Sequence, residues 1–193
     1  MHQTSSISLE DIAARAAGIK AELSRRAHTA TLLAFTQYTK SDYEVNWHHK
    51  VVADALDDVL RGSCRRLLVM MPPQNGKSEL VSRRFPAYAL GKRPELRLAA
   101  ASYNADLAMD MSRDVQLIMD TPAYKQLFPH TRLSEGRDDD VKTTKQFTVV
   151  GHRGRYYATG VGGGLSGRTV DIGIIDDPIK NREEAERSAT RGA

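Results

Sequence analysis

The segment Pro72-Pro73-Gln74-Asn75-Gly76-Lys77-Ser78 constrains what this chain can fold into more than any other. It follows a continuous apolar run, residues 67–71, which is typical of a strand buried on both faces. It precedes residues 79–90, whose pattern predicts a helix that Pro86 kinks or ends early. A loop that opens a helix directs backbone N–H groups and the positive end of the helix dipole at an anion. The order of strand, loop and helix therefore predicts a phosphate-binding loop.

The residue types within this loop match the chemistry of nucleotide phosphates. Lys77 is placed to reach the β and γ phosphates, and the Ser78 hydroxyl is placed to ligate Mg²⁺, so ATP and Mg²⁺ are the expected cofactors. Met71 stands where the usual G-x-x-x-x-G-K-S pattern has its first glycine. The alternative interpretation is a chance Gly-Lys-Ser at the start of a helix.

A second motif is the apolar run 170–175 followed by Asp176-Asp177-Pro178. The run predicts another buried strand, and a pair of carboxylates at its end fits the second half of a nucleotide site. Asp176 is the candidate magnesium residue, and Asp177 is the candidate that polarises the attacking water. The alternative is a solvated acidic turn after a core strand.

The remaining periodicities predict strands alternating with helices, which indicates an α/β fold around a mostly parallel sheet. We expect a loop at residues 133–145 that includes Asp138-Asp139-Asp140. The other predicted elements are helices over 8–26, 48–60 (stopped by Gly62) and 105–119, a strand over 96–102, a hairpin of 146–150 with 156–159, and a charged helix or frayed end over 181–191.

Composition sets broader limits. The 193 residues suffice for one well-buried domain, and no apolar run is long enough to span a membrane. Cys64 is the only cysteine, so no internal disulfide forms, which suits a reducing compartment. The net charge of +4 and pI near 9.2 permit a nucleic-acid partner without demonstrating one.

In combination, these motifs resemble the large terminase subunits of tailed phages, which package DNA into empty capsids. The resemblance runs from about Phe35 to Lys180. It rests on Phe35-Thr36-x-Tyr38-Thr39, Asn46-Trp47-His48-His49, Pro72-Pro73-Gln74-x-Gly76-Lys77-Ser78, Ala101-Ser102-Tyr103-Asn104, Thr159-Gly160-Val161-Gly162-Gly163 and Asp176-Asp177-Pro178-Ile179-Lys180.

The resemblance implies a RecA-like P-loop ATPase domain that drives translocation of double-stranded DNA in the host cytoplasm. It also implies a homo-oligomeric ring docked on a portal protein, a small terminase partner and a separate C-terminal nuclease domain. On this basis we expect an N-terminal helical segment over 1–40, a partial ATPase domain over 41–193, and no nuclease domain in the chain.

The family pattern further implies a strand, later in sequence, between the phosphate-loop strand and the Asp-Asp strand. Residues 178–193 contain no such strand, so the fold is expected to be incomplete at its C-terminus. The unpaired backbone and exposed apolar surface of such a gap lead us to expect a chain that by itself is unstable or self-associating and hydrolyses ATP poorly.

Three further site assignments come from the resemblance. Trp47, His48 or His49 would hold adenine; alternatively, Trp47 is part of the core and the histidines cap the following helix. Arg168 is the candidate arginine finger, acting on the ATP of a neighbouring subunit, or else it supports the glycine-rich loop. Asp177 stands where many terminases have glutamate, although part of the family reads Asp-Asp-Pro.

Other classes of protein share parts of this pattern. A helicase-like or other nucleic-acid-dependent ATPase has the same loop and acidic strand but needs further motifs downstream. A non-catalytic binding module with a vestigial ATP site is favoured by Met71 and opposed by Lys77, Ser78, Asp176 and Asp177. A small-molecule kinase is disfavoured because nothing resembles an acceptor site or a lid.

Overall fold

The computed structural model describes residues 8–135 and 141–180. The predicted acidic cluster Asp138-Asp139-Asp140 and the predicted terminal helix over 181–191 lie outside these residues. Within them the helices are α1 (Leu9–His28), α2 (Leu32–Thr39), α3 (Trp47–Arg61), a π-helical turn (Glu79–Arg84), α4 (Phe85–Lys92), α5 (Ala105–Asp120) and α6 (Pro122–Leu127). The strands are β1 (Arg97–Ser102), β2 (Gln146–Thr148), β3 (Arg155–Gly160) and β4 (Ile172–Ile175).

The sheet formed by the described residues has the order β2-β3-β1-β4. Strand β1 pairs in parallel with β3 and β4, and β2 adds to β3 in the antiparallel direction. The α/β class, the mostly parallel sheet and the hairpin are therefore confirmed. Strand β1 is central because its sequence, Leu98 followed by three alanines, lets helices pack closely, and Leu98, Ala99 and Ala100 are buried.

Helix boundaries follow the local sequence signals. Ser8 caps α1 in a capping box with Asp11, and Gly62 ends α3 in the left-handed conformation, with φ 86°. The helix after the loop does not stop at Pro86. The π-helical turn precedes it, with the Phe85 N–H donating to the Leu80 carbonyl five residues back, and α4 then continues through Pro86.

The apolar core lies among helices α2–α6 and the sheet, and α5 packs on β1 and β3. Phe35 of α2 is completely buried beside the rings of Tyr88, Tyr124 and Phe128. No helix of the described residues is both long and apolar enough to cross a membrane.

Two strand predictions need correction. Residues 67–71 form no strand, and Leu68 and Met70 are 80% and 83% exposed, because no strand of the described residues lies against them to satisfy their backbone. Strand β4 is an edge strand rather than a buried one, with Ile174 buried and Ile175 70% exposed.

A groove of about 910 Å³ separates the free edge of β4 from the extended chain at residues 64–69. Its walls include Leu67 and Leu68 on one side and Ile172 and Ile174 on the other. Lys77 and Asp176 lie in the lining of the same groove, so it leads to the predicted nucleotide site.

Candidate nucleotide site

The structure brings the two predicted motifs together through Lys77. Its Nζ atom lies 2.9 Å from Asp176 Oδ1 and 2.8 Å from Asp177 Oδ1. The hydrogen bond to Asp177, reinforced by Asp176, raises the pKa of Lys77 although partial burial opposes this. Residues a hundred positions apart in sequence thus form one charged cluster at the carboxyl end of β4.

Both carboxylates reach Lys77 because the backbone turns sharply at the end of β4. Asp177 adopts the left-handed conformation, with φ 46°, which is uncommon for a residue with a side chain. The Asp176 N–H donates to the Ala101 carbonyl, and the Tyr103 N–H donates to the Asp177 carbonyl, so the turn stays attached to the end of β1. The side chains of adjacent residues on a strand normally point in opposite directions, so they could not both reach Lys77. The turn changes the direction of the Asp177 side chain and allows both contacts.

Asp176 is the buried member of the pair and Asp177 is the exposed one. Burial would raise the pKa of Asp176, but hydrogen bonds from Lys77, Ser82 and Ser78 together lower it below its usual range. The carboxylate of Asp176 is therefore held charged in a protected position, whereas the Asp177 side chain is 67% exposed.

Ser82 is a site residue that sequence reasoning missed. Its hydroxyl is fully buried and donates to Asp176 Oδ2 at 2.7 Å. Ser82 stands four residues after Ser78, so helical spacing alone puts the two hydroxyls on one face. The spacing would identify Ser82 as a site residue only if it were already known that the helix after the loop faces the strand that ends in Asp176 and Asp177.

The predicted phosphate loop, residues 72–78, is stabilised by hydrogen bonds between its own residues. Asn75 Nδ2 donates to the carbonyls of Pro72 and Pro73, and Gly76 is left-handed, with φ 78°. Gln74 also has a positive φ of 63°. The Leu80 N–H donates to the Gly76 carbonyl, so helical hydrogen bonding begins within the loop.

The imidazole of His49 contacts the predicted phosphate loop at Asn75 and Gly76. The Asn46 N–H donates to His49 Nδ1, which makes Nε2 the protonated nitrogen, and Nε2–H donates to the Asn75 carbonyl at 3.1 Å. A side chain at position 76 would begin 2.9 Å from His49 Nε2, so the loop packs directly on the imidazole. His49 also completes the capping box of α3 with Asn46, which confirms the expected capping role of a histidine here.

The aromatic residues before the loop form a chain of ring contacts from Tyr43 through His49 and His48 to Trp47. Trp47 is 77% exposed, so the alternative that it belongs to the core is wrong. The buried atoms Tyr43 Oη and His48 Nε2 have no hydrogen-bond partner among the described residues.

Arg168 lies apart from this cluster. Its guanidinium stacks 4.3 Å from the centre of the Tyr157 ring and donates to Gln146 Oε1, which places it on the β2–β3 side of the sheet. Within the described part of the chain, its guanidinium contacts Tyr157 and Gln146 and not residues 72–78. A role toward a neighbouring subunit stays a prediction.

Residues 68–192 match a protein family described as terminase large subunit, T4likevirus-type, N-terminal. The match covers more than half of the chain and includes the phosphate loop, Ser82 and both aspartates. The chain belongs to this family. Its membership confirms the resemblance found in the sequence and assigns this terminase chain a role in phage DNA packaging. No curated protein and no solved structure shows significant similarity to it.

Proposed function

We propose that this chain is the ATPase motor domain of a phage large terminase, which couples ATP hydrolysis to movement of double-stranded DNA into a procapsid. The observation that carries the proposal is the convergence of Lys77, Asp176 and Asp177 within 3 Å contacts beside a loop with a left-handed glycine. Titratable groups with shifted pKa values that converge at one place are candidates for a functional site, and the pKa values of Lys77 and Asp176 are both shifted here.

The residues present fit ATP and Mg²⁺. Within the loop of residues 72–78, residues 74–78 supply N–H groups at a helix start, and Lys77 supplies a positive charge. Mg²⁺ at phosphate sites uses one or two protein ligands together with phosphate oxygens and water, and Ser78 and Asp176 are the two that this site offers. The absence of a cluster of three or more acidic, histidine or cysteine residues among the described residues is compatible with that mode of binding.

Nucleotide binding requires Lys77 to exchange its two carboxylates for phosphate oxygens. Asp176 then keeps the hydrogen bond from Ser82, which holds its charge and orientation for the metal. Asp177 is released from Lys77, and its side chain is exposed. It can then orient an attacking water or accept a proton from it. Arg168 is proposed as a finger that acts on a neighbouring subunit.

Adenine is proposed to bind beside Trp47. The exposed indole offers a stacking surface for the base, and the His48 ring packs edge-on against it. His49 is fully engaged with Asn46 and Asn75, so its contribution is to the loop rather than to the base.

The finer fold assignment and the partners belong to the same proposal. A RecA-like sheet would have a further strand in the groove between β4 and residues 64–69. We place the N-terminal helical segment at 1–40 and the ATPase domain at 41–193. The portal protein, the small terminase subunit and a homo-oligomeric ring are the proposed partners of the packaging assembly.

The proposal is tested by single-turnover hydrolysis of Mg·ATP with excess protein, which detects slow chemistry, in the presence and absence of double-stranded DNA. Wild type is compared with Asp177→Asn and with the control Asp110→Asn, an exposed aspartate of α5. We expect hydrolysis by wild type and by the control, stimulation by DNA, and loss of hydrolysis but not of ATP binding in Asp177→Asn. Equal hydrolysis by wild type and Asp177→Asn would refute the proposed chemistry.

A further inference from the structure

Helix α1 is attached to the rest of the protein by its polar side. No residue of this 20-residue helix is buried. Its contacts with α2 and α6 come from the C-terminal half, where the His28 ring stacks on Tyr38 at 4.3 Å and the groove beside Arg25 faces Gln126 and Leu127. The turn that follows is held by Tyr88 Oη, which donates to the Thr29 carbonyl.

The apolar side of α1 faces away from the protein. At 100° per residue, the apolar stripe lies on the side of the helix opposite Arg25 and His28. Its members, which we call the α1 stripe, are Leu9, Ile12, Ala16, Ile19 and Leu23. Leu9, Ile12, Ile19 and Leu23 are 84%, 52%, 62% and 60% exposed. A helix that projects its apolar stripe into water is marginal by itself and gains stability when a partner covers the stripe.

The spacing of the stripe specifies the kind of partner. Its members are three, four, three and four residues apart, which is the a/d spacing of a coiled-coil seam. Leu9, Ala16 and Leu23 take the a positions, and Ile12 and Ile19 take the d positions. Arg15 and Glu22 then flank the seam as consecutive g positions, and Lys20 is the e position between them.

We propose that two copies of this chain associate through an antiparallel pair of α1 helices. In that arrangement Ile12 packs against Leu23 of the second copy, Ala16 against Ile19, and Leu9 against the aliphatic stem of Arg26. The layers repeat by the two-fold symmetry of the pair.

Charge selects the antiparallel arrangement. Antiparallel coils bring g positions of the two helices together, so Arg15 of each copy lies beside Glu22 of the other, and the pair occurs twice. A parallel pair would instead place Arg15 of one helix beside Lys20 of the other, and Arg26 of one helix beside Arg26 of the other. Both contacts bring like charges together and are repulsive. Glu22 also binds Arg25 and Arg26 within its own helix, so Arg15 of the second copy would be the third arginine beside this carboxylate.

The position of the domains agrees with this arrangement. Residues 8–21 of α1 are all exposed and extend beyond the rest of the protein. An antiparallel pair puts the two domains at opposite ends of a helix roughly 30 Å long, where they do not collide. A parallel pair would force both domains to the same end.

The pair of α1 helices is short, with little more than two heptads. We therefore expect its total buried surface to be at or below roughly 1,200 Å², the range of weak, transient contacts. We therefore expect a dissociation constant on the order of 1 μM or weaker. No residue of α1 lines the groove that contains Lys77 and the edge of β4, so we expect the association to be independent of nucleotide binding.

The strength of association is tested by sedimentation equilibrium of the full chain over a series of concentrations. Wild type is compared with Arg15→Glu and with Arg113→Glu, a charge reversal of an exposed arginine on α5. We expect a dimer whose dissociation constant rises at least tenfold in Arg15→Glu and does not change in Arg113→Glu. Circular dichroism checks that α1 stays helical in both variants.

The orientation is tested by disulfide trapping in a Cys64→Ser background with oxidised glutathione. Ile12→Cys mixed with Leu23→Cys is expected to give a cross-linked heterodimer, whereas Ile12→Cys alone, and the polar-side control Ala14→Cys alone, are not. Preferential cross-linking of Ile12→Cys to itself would mean a parallel pair and overturn the proposal. A monomer at every concentration would also overturn it, and would mean that something other than a second copy covers the α1 stripe. A dimer that Arg15→Glu does not weaken and that Ile12→Cys and Leu23→Cys do not cross-link would overturn it too, and would mean association through another surface such as the β4 edge.

Discussion

The hydroxyl of Ser82 donates a 2.7 Å hydrogen bond to Asp176 Oδ2, and both side chains are buried. This contact joins the helix after the phosphate loop to the end of β4. It fixes the charged carboxylate proposed to hold magnesium, independently of Lys77.

Replacing Ser82 by alanine is expected to destabilise the protein at neutral pH. A hydrogen bond to a charged group contributes about 1.5–3 kcal/mol, so urea unfolding should show a loss of that order. The control Ser112→Ala removes another fully buried serine, whose hydroxyl has only a 3.4 Å contact from Gln116, and should cost about 1 kcal/mol or less.

The effect of Ser82→Ala should depend on pH. Because the pKa of Asp176 is lowered in the folded state, the stabilisation from its carboxylate is present above the unfolded pKa and is lost as pH falls through the lower folded pKa. The difference between wild type and Ser82→Ala should therefore shrink in acid. A loss equal to that of Ser112→Ala, or constant with pH, would contradict the assigned contact.

Replacing Gly76 by alanine is expected to weaken Mg·ATP binding. Position 76 has φ 78°, which costs a residue with a side chain about 1–2 kcal/mol, and the added methyl group would begin 2.9 Å from His49 Nε2. The control Gly164→Ala meets nothing within 4 Å. Titration with a fluorescent ATP analogue should show weaker binding by Gly76→Ala alone, and unchanged binding would mean that the loop conformation does not matter for nucleotide.

Asp57 provides a pH prediction outside the site. Its carboxylate is buried in α3 and accepts two bonds from the Leu32 N–H, and burial raises its pKa despite those bonds. A raised folded pKa means that protonation favours the folded state, so this group makes the protein less stable as pH rises from the unfolded pKa through the folded one.

Asp57→Asn keeps an acceptor for Leu32 and removes the charge, so it should be more stable than wild type at pH 7. The gain should be smaller at pH 4, because the raised folded pKa of Asp57 favours protonation of its carboxyl group in wild type as the pH falls. Thermal unfolding at both pH values measures this, with Asp110→Asn, an exposed aspartate of α5 that is not among the charges acting on Asp57, as the control. A gain that persists at pH 4 would show that the charge is not the cause.

Much of the fold could be predicted because its signals are local. Ser8 and Gly62 mark helix ends by their own chemistry, and the hairpin of β2 and β3 follows from two short apolar runs around a glycine turn. The candidate site could be predicted in part for the same reason, since Gly76-Lys77-Ser78 opens a helix and Asp176-Asp177 ends a strand.

The errors concern features that depend on distant partners. Residues 67–71 have the composition of a buried strand, but a strand also needs neighbours to satisfy its backbone. No strand in the described part of the chain lies beside Leu68 or Met70. The contact between Ser82 and Asp176, and the packing of His49 under Asn75, arise from tertiary docking that no periodicity records. The left-handed turn at Asp177 has only a weak signal in the residue type, since aspartate adopts this conformation more often than most residues but not usually.

The central claim is that the loop around Lys77 binds Mg·ATP, and isothermal titration tests it most directly. Wild type is compared with Lys77→Ala and with Lys125→Ala, an exposed lysine that pairs only loosely with Asp120. The account predicts binding by wild type and Lys125→Ala, and affinity reduced by about ten- to a hundredfold in Lys77→Ala, as expected for a charged hydrogen bond to phosphate. Equal affinity of the folded wild-type and Lys77→Ala proteins for Mg·ATP would contradict it.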